Sequence, residues 1–199
     1  MHDKQRLAVF ASGTGSNFAA IADAIDQGRL DGEIVLLVCD NSEAKVIEKA
    51  RDRQIPVFVF QPKTYTSKVD YERDILQELN DCQAEWLILA GYMRLVGDTL
   101  LDPFEGRIVN IHPSLLPAFP GKDAIGQAFS AGVKVTGVTV HFVDEGMDTG
   151  TIIDQEAIRI QPEDDQDTLQ ANIQEIEHRL FPKTIQALIQ TKKREEIKS

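Results

Sequence analysis

Cysteine is scarce in this chain: two residues in 199, Cys39 and Cys82, neither in a CxxC pair. Isolated thiols inside apolar segments supply neither a disulfide framework nor a zinc ligand set, so they are expected to be packing residues in a reducing compartment. Long hydrophobic runs are missing too. Nothing approaches the roughly 18 to 20 apolar residues a membrane span needs. The charged start, Met1 to Leu7, has no signal-peptide core, so the expected location is cytoplasmic. Positive charge is also short: 32 Asp and Glu outweigh 21 Lys and Arg, a formal charge of -11. A nucleic-acid surface normally shows as a basic face, so neither nucleic acid nor membrane is expected as a partner. A small polyanion held by local cations stays compatible. No repeat, low-complexity stretch or linker divides the chain, whose length fits one domain that folds without metal or disulfide.

What the chain does contain is alternation. Apolar stretches at 7–11, 33–39, 56–60, 86–90 and up to Asn110 read as strands, and 134–143 and 151–160 add two more. Between them 18–25, 43–53 and 67–80 have helical spacing, and Asp123 can cap a short helix to about residue 131. Asp167 with Gln170 can cap a C-terminal helix that Pro182 should kink or interrupt. Trp86–Ala90 is apolar on both faces, the mark of a central strand covered by helices. The fold class that follows is α/β, a single-domain Rossmann-like fold with a mostly parallel central sheet flanked by helices. Residues 1–190 are expected to form the domain, and 191–199 a frayed charged tail.

The stretch Arg107–Pro117, RIVNIHPSLLP, puts an amide and an imidazole two residues apart behind an apolar run. Residues i and i+2 of an extended segment point to one side, so Asn110 and His112 should share a face and reach one reacting atom. Pro113 and Pro117 make the exit stiff. A polar pair satisfied by local backbone would show the same spacing. Earlier, Ser12 Gly13 Thr14 Gly15 Ser16 Asn17 joins a strand to a helix, where converging N–H groups favour an anion. Phe18 occupies the third glycine position of GxGxxG and the P-loop lysine is absent, so a phosphate monoester is expected rather than a dinucleotide or nucleoside triphosphate. Asp40 and Ser42 read as turn and N-cap residues, with a ribose-binding acid as the other reading of Asp40. Ser67 with Asp70 caps the next helix and leaves Lys68 in its first turn, where a bound anion or plain solvation accounts for it. Gly91–Val96, apolar but for Arg94, can line a pocket for a flat aromatic ligand or simply pack in the core. Asp144–Gly150 is an acidic loop without EF-hand spacing, so calcium is not expected. Each of these features follows a strand, and in an open α/β sheet ligands bind beyond the carboxyl ends of the strands.

Four segments together, SGTGSN (12–17), LAGYMRLV (89–96), NIHPSLLPAFPG (110–121) and GVTVHFVDEGMDTG (137–150), closely resemble the folate-dependent formyltransferase family, in particular its members that act on glycinamide ribonucleotide. The resemblance covers about residues 6 to 190. It implies transfer of the formyl group of 10-formyltetrahydrofolate to the amine of 5-phosphoribosylglycinamide in purine synthesis, by direct attack through a tetrahedral intermediate and without metal. It implies Asn110, His112 and Asp148 as the catalytic trio. It places Gly13, Thr14, Gly15, Ser16, Asn17 and Glu177 on the ribonucleotide. It places Lys68, Met93, Arg94, Leu95, Val96, Val143 and Asp144, with Asn110, on the folate. Lys122–Ile125 departs from relatives that carry histidines there. The implied partners are two small molecules, with the chain a monomer or weak homodimer. Formyltetrahydrofolate hydrolase and the catalytic domain of methionyl-tRNA formyltransferase share these motifs. The expected additions, a regulatory N-terminal domain or a basic C-terminal one, are not read in this chain. A silent folate or nucleotide binder would not need His112 and Asp148 together.

Overall fold

The computed structural model describes residues 4–198, with side chains through 194. Met1–Asp3 and Ser199, the ends of the charged termini noted above, lie outside the described residues. In chain order the elements are β1 (Gln5–Phe10), α1 (Ser16–Asp26), β2 (Gly32–Cys39), α2 (Val46–Asp52), β3 (Val57–Val59), a 3-10 turn at Pro62–Thr64, α3 (Lys68–Asp81), β4 (Trp86–Leu89), α4 (Asp98–Leu101), β5 (Ile108–His112), α5 (Ala124–Ser130), β6 (Val135–Phe142), β7 (Ile152–Arg159) and α6 (Gln166–Lys198). The strands form one seven-stranded sheet in the order β3-β2-β1-β4-β5-β6-β7. β1 pairs in parallel with β2 on one side and β4 on the other. The chain therefore builds outward from β1 in both directions, and the crevice at that reversal is where open α/β sheets hold ligands.

The apolar strands pack on both faces because alternate residues serve two helix layers. Leu7, Val9, Leu37, Ile88 and Val109 join α1, α2 and α6 in one core, while Ala8, Phe10, Leu36, Leu87 and Leu89 join α3 and α4 in the other. Truncating one of the fully buried members, Ile88→Ala for example, should cost about 2 to 5 kcal/mol through lost burial and the cavity left behind. Ser67 caps α3 as expected, accepting from Asp70 N at 3.2 Å.

Four local expectations are corrected. Asp40 and Ser42 do not cap α2; the side chain of Asn41 makes that turn by accepting from Glu43 N at 3.1 Å. Asp165, rather than Asp167, caps α6, accepting from Thr168 N at 2.8 Å. α6 runs through Pro182 as one helix. Phe181, Ile185 and Ile189 on its inner face are fully buried, and that packing offsets the missing N–H. The segment from residue 191, expected to fray, continues α6, since Lys192 pairs with Glu85 and lies over the Trp86 ring while Lys193 pairs with Asp31. α4 was not anticipated, being a single turn with too little periodicity to read.

The largest difference concerns direction. β5 and β6 are antiparallel, as are β6 and β7. The loop after β6 is therefore not carried to the common carboxyl edge by its own strand.

Candidate active site

A cavity of about 460 Å³ opens at the carboxyl edge of β1, β4 and β5. Its wall includes Gly13–Asn17, Leu89–Val96, Asn110, His112, His141, Val143, Asp144, Asp148 and Glu177. Of the expected site residues, Lys68 alone is not part of this wall.

At one end lies the turn between β1 and α1. Gly15 has φ 71°, and a Cβ there would stand 2.5 Å from Val46 Cγ2 of α2. Glycine at 15 thus answers to packing behind the turn. At Gly13 a Cβ would meet nothing within 4 Å, so this residue faces open space. No side chain caps α1, which leaves the N–H groups of its first turn available to an anion. Asn17 Nδ2 donates to Glu177 Oε2 at 3.0 Å and ties α1 to α6. Burial pushes the Glu177 carboxyl up, with the Asn17 hydrogen bond opposing it. Asn17 Oδ1 is buried without a partner, a free acceptor beside that carboxyl.

At the other end the loop from Gly91 to Gly97 is stitched to the turn. Ser12 N donates to Gly91 O at 3.1 Å, and Ser12 Oγ accepts from Met93 N at 3.1 Å. Arg94 Nε donates to Asp40 Oδ2 at 2.7 Å, which accounts for Asp40 and commits the guanidinium to the cavity wall. Met93 and Leu95 stay 62 % and 49 % exposed, apolar surface available to a flat ligand. Asp144 lines the wall too, but its Oδ1 accepts from Gly146 N and Thr149 Oγ1 and so closes its own loop.

Between these ends sit the polar residues of β5 and β6. Val109, Ile111, Val138 and Val140 point into the α1–α6 core, so Asn110, His112, Thr139 and His141 share the opposite face. Asn110 stands directly across from His141, and its Nδ2 lies 3.1 Å from His141 Nε2. His141 Nδ1 lies 2.7 Å from the Phe142 carbonyl, which can only accept. That fixes the hydrogen on Nδ1 and leaves Nε2 to receive an Asn110 N–H. His141 was not singled out from sequence, because only the β5–β6 register reveals it.

Asp148 reaches this face by its loop folding back. Its Oδ2 lies 3.4 Å from His112 Nδ1 and its Oδ1 lies 3.7 Å from His141 Nε2. The segment after β5 closes over the same pair: Phe119 O lies 2.9 Å from His112 Nε2, and Gly121 N donates to Asp148 Oδ2 at 2.7 Å. Both His112 nitrogens thus face oxygen acceptors, an arrangement satisfied when both carry hydrogen. Burial raises the Asp148 carboxyl, but the neighbouring His141, the Gly121 N–H and His112 outweigh it and hold it below the usual range. Phe119, Asp123 and Asp148 all have positive φ, and such backbone strain concentrates at functional sites.

Among the described residues no helix is long and apolar enough to cross a membrane, and no cluster of three His, Cys, Asp or Glu forms a metal-binding group.

The formyl transferase family model matches residues 5–185. A phosphoribosylglycinamide formyltransferase of Bacillus subtilis (strain 168) is 54 % identical over 185 residues, 93 % of this chain and 95 % of that protein. The crystal structure of glycinamide ribonucleotide transformylase 1 from Geobacillus kaustophilus superimposes with a TM-score of 0.91 at 57 % identity, covering 94 % of this chain and 99 % of that one. The trifunctional purine biosynthetic protein adenosine-3 of Drosophila melanogaster is 39 % identical over 188 residues, which are 94 % of this chain but 14 % of that longer protein. By the extent of these matches, the chain belongs to the formyl transferase family.

Proposed function

We propose that this enzyme transfers the formyl group of 10-formyltetrahydrofolate to the primary amine of 5-phosphoribosylglycinamide, a step of purine synthesis in the cytoplasm. The observation that carries the reading is one cavity joining an uncapped glycine turn to an apolar loop, with Asn110, His112 and Asp148 between them. The turn suits a phosphate monoester. Glu177 and the free Asn17 oxygen suit hydroxyl groups of the attached ribose. The loop from Tyr92 to Val96, with Val143, suits the pterin. Residues 1–190 form the catalytic unit in this reading, acting as monomer or weak homodimer.

In the reaction the amine nitrogen attacks the formyl carbon, an oxyanion forms, the bond to folate N10 breaks, and the amine proton passes on to N10. No enzyme nucleophile takes part. What the residues contribute is charge placed in advance where the oxyanion develops. His141 accepts one Asn110 N–H, which leaves the second amide hydrogen to aim into the cavity. His112 contributes its positive charge, held by Asp148. With the Phe119 carbonyl on Nε2, a direct N–H from His112 to the oxyanion requires that carbonyl to move away or Nδ1 to be shared with Asp148. A carboxyl held below its ordinary range, as that of Asp148 is, makes a weaker base. Its first duty is therefore electrostatic, with proton acceptance following once attack has made the amine acidic.

The test is an assay of purified protein with both substrates, read as folate product and formylated ribonucleotide formed one for one. Folate consumed with release of formate, independent of the ribonucleotide, would establish a hydrolase instead. Formylation of methionyl-tRNA in preference to the ribonucleotide would also overturn the assignment.

A further inference from the structure

Glu72 lies on α3, is 2 % exposed, and takes no part in the chemistry above. A buried carboxylate is costly unless its partners repay the lost hydration, and a leucine or methionine of similar size would not carry that cost. What the carboxylate adds is two contacts on the side of the 91–97 loop. Glu72 Oε1 accepts from Gly97 N at 2.8 Å and lies 3.8 Å from Lys68 Nζ. A Cβ on Gly97 would stand 2.7 Å from Glu72 Oε2 and 3.0 Å from Lys68 Nζ, so a side chain there would have to displace both groups. The near end of the loop is anchored by Ser12 on Gly91 and Met93. Between the two anchors, among the described residues, the backbone N–H groups of Arg94, Leu95 and Val96 have no hydrogen-bond partner. All three residues line the cavity.

Building on the folate reading of this loop, we propose that Glu72 is a positioning residue for the folate end of the cavity. One buried carboxylate pins the far end of the loop through Gly97 and holds Lys68 beside it, where a cation can meet the carboxylates of a folate tail leaving the cavity. Neither Glu72 nor Gly97 touches the ligand. Their effect is on the shape and rigidity of the wall that does, and on the direction of the Lys68 side chain.

The experiment compares Glu72→Ala, Glu72→Gln and Lys68→Ala with the unaltered protein. Calorimetry would measure 5,8-dideazafolate carrying one glutamate and, separately, 5-phosphoribosylglycinamide. Glu72→Ala should weaken the folate analogue about tenfold, the scale of one hydrogen bond to a charged group, and change ribonucleotide affinity less than about twofold. At saturating folate its kcat should stay within about threefold of the unaltered enzyme, because nothing that acts only in the transition state has been removed. Glu72→Gln keeps an oxygen for Gly97 N–H, so it should recover most of the loss and leave a remainder equal to that of Lys68→Ala. Amide exchange at Gly97, measured without ligand, should quicken in Glu72→Ala and stay slow in Glu72→Gln. Equal losses for both ligands, a lowered kcat with unchanged folate affinity, or unchanged loop exchange would overturn the proposal. If Glu72→Ala does not fold, Glu72→Gln against Gly97→Ala decides the matter, since only the second should loosen the loop. If the unaltered protein binds neither ligand, the functional reading has failed, and the ligand-free exchange still decides the role of Glu72.

Discussion

β5 and β6 deliver the two halves of the proposed catalytic cluster in opposite ways. β5 is parallel to β4 and ends at the crevice, so Asn110 and His112 arrive there by simple alternation along the strand. β6 runs the other way. His141 joins the cluster by lying across from Asn110, and Asp148 joins it only because a loop returns and is held by Gly121. One half therefore depends on local strand geometry, and the other on contacts between segments distant in sequence. The two halves should fail differently when perturbed.

The largest effects should come from the residues proposed to meet the developing charge. Asn110→Ala and His112→Ala should each lower kcat by roughly 100- to 1000-fold, about 3 to 4 kcal/mol, with substrate affinities little changed. Asp148→Asn keeps the shape and removes the charge that His112 faces, so its loss should be comparable or larger. Steady-state kinetics with both substrates varied checks all three. Asn110→Ala combined with Asp148→Asn should lose less than the product of the single losses, because both act on one intermediate. Near-normal turnover in Asp148→Asn would leave the β6 half without a catalytic role.

His141 tests the second half one step further out. His141→Ala frees the Asn110 amide to rotate, and the expected loss is about 10- to 100-fold in kcat, smaller than for Asn110→Ala itself. In an Asn110→Ala background the same change should cost almost nothing. A full loss in both backgrounds would show that His141 acts on Asp148 rather than through Asn110.

This division also explains what could be read from the sequence. Asn110 and His112 were legible because spacing of two in a strand is a local rule, and the glycine turn and the Ser67 cap were legible for the same reason. His141 was hidden in VTVHFV, since its role exists only once β6 is known to run antiparallel in one register. The pairing of Arg94 with Asp40, 54 residues apart, and of Glu72 with Gly97 was equally out of reach. Propensity misled at Pro182, where burial of the neighbouring side chains decides. The family resemblance supplied Asp148, but not the loop contacts that bring it to His112.

Two carboxyls of the site are shifted in opposite directions, which gives pH its own test. Asp148 is held below the ordinary value of about 4. Its contribution to stability is thus full above the unfolded pKa and disappears as pH falls through the folded one. Glu177 is raised by burial, so its contribution is full below the unfolded pKa and is lost as pH rises through the folded value. Thermal unfolding between pH 3 and pH 8 should show Asp148→Asn losing stability above pH 4 but not at the acid end. Glu177→Gln should gain most at the alkaline end while weakening the ribonucleotide. A parallel shift of both variants across the whole range would mean that the two sites do not differ as described.

The two glycines of the proposed phosphate turn separate packing from binding. Gly15→Val adds a side chain at positive φ against Val46 and should cost about 3 kcal/mol, lowering Tm by about 6 to 12 °C. Gly13→Ala adds a methyl group in open space and should leave Tm within about 2 °C, since surface changes are usually small. Its effect should fall on ribonucleotide affinity, weakened about tenfold if phosphate lies against that backbone, with folate affinity unchanged. Ordinary ribonucleotide binding in Gly13→Ala would move the phosphate away from the turn.

The smallest effect should come from Lys68, and its size follows from where the structure puts it. The ammonium group is outside the cavity wall, on a side chain 41 % exposed, and it already has Glu72 as a partner. Water and salt screen such a charge, so Lys68→Ala should weaken folate binding by about 1 kcal/mol or less. The loss should shrink as salt rises from about 0.05 M to 0.5 M, where the screening length falls well below the reach of the side chain. A folate analogue lacking the glutamate tail should not register the substitution at all. Two results would contradict this placement: a loss indifferent to salt, which would mean a buried contact, or an equal loss for the ribonucleotide, which would put Lys68 at the wrong end of the cavity.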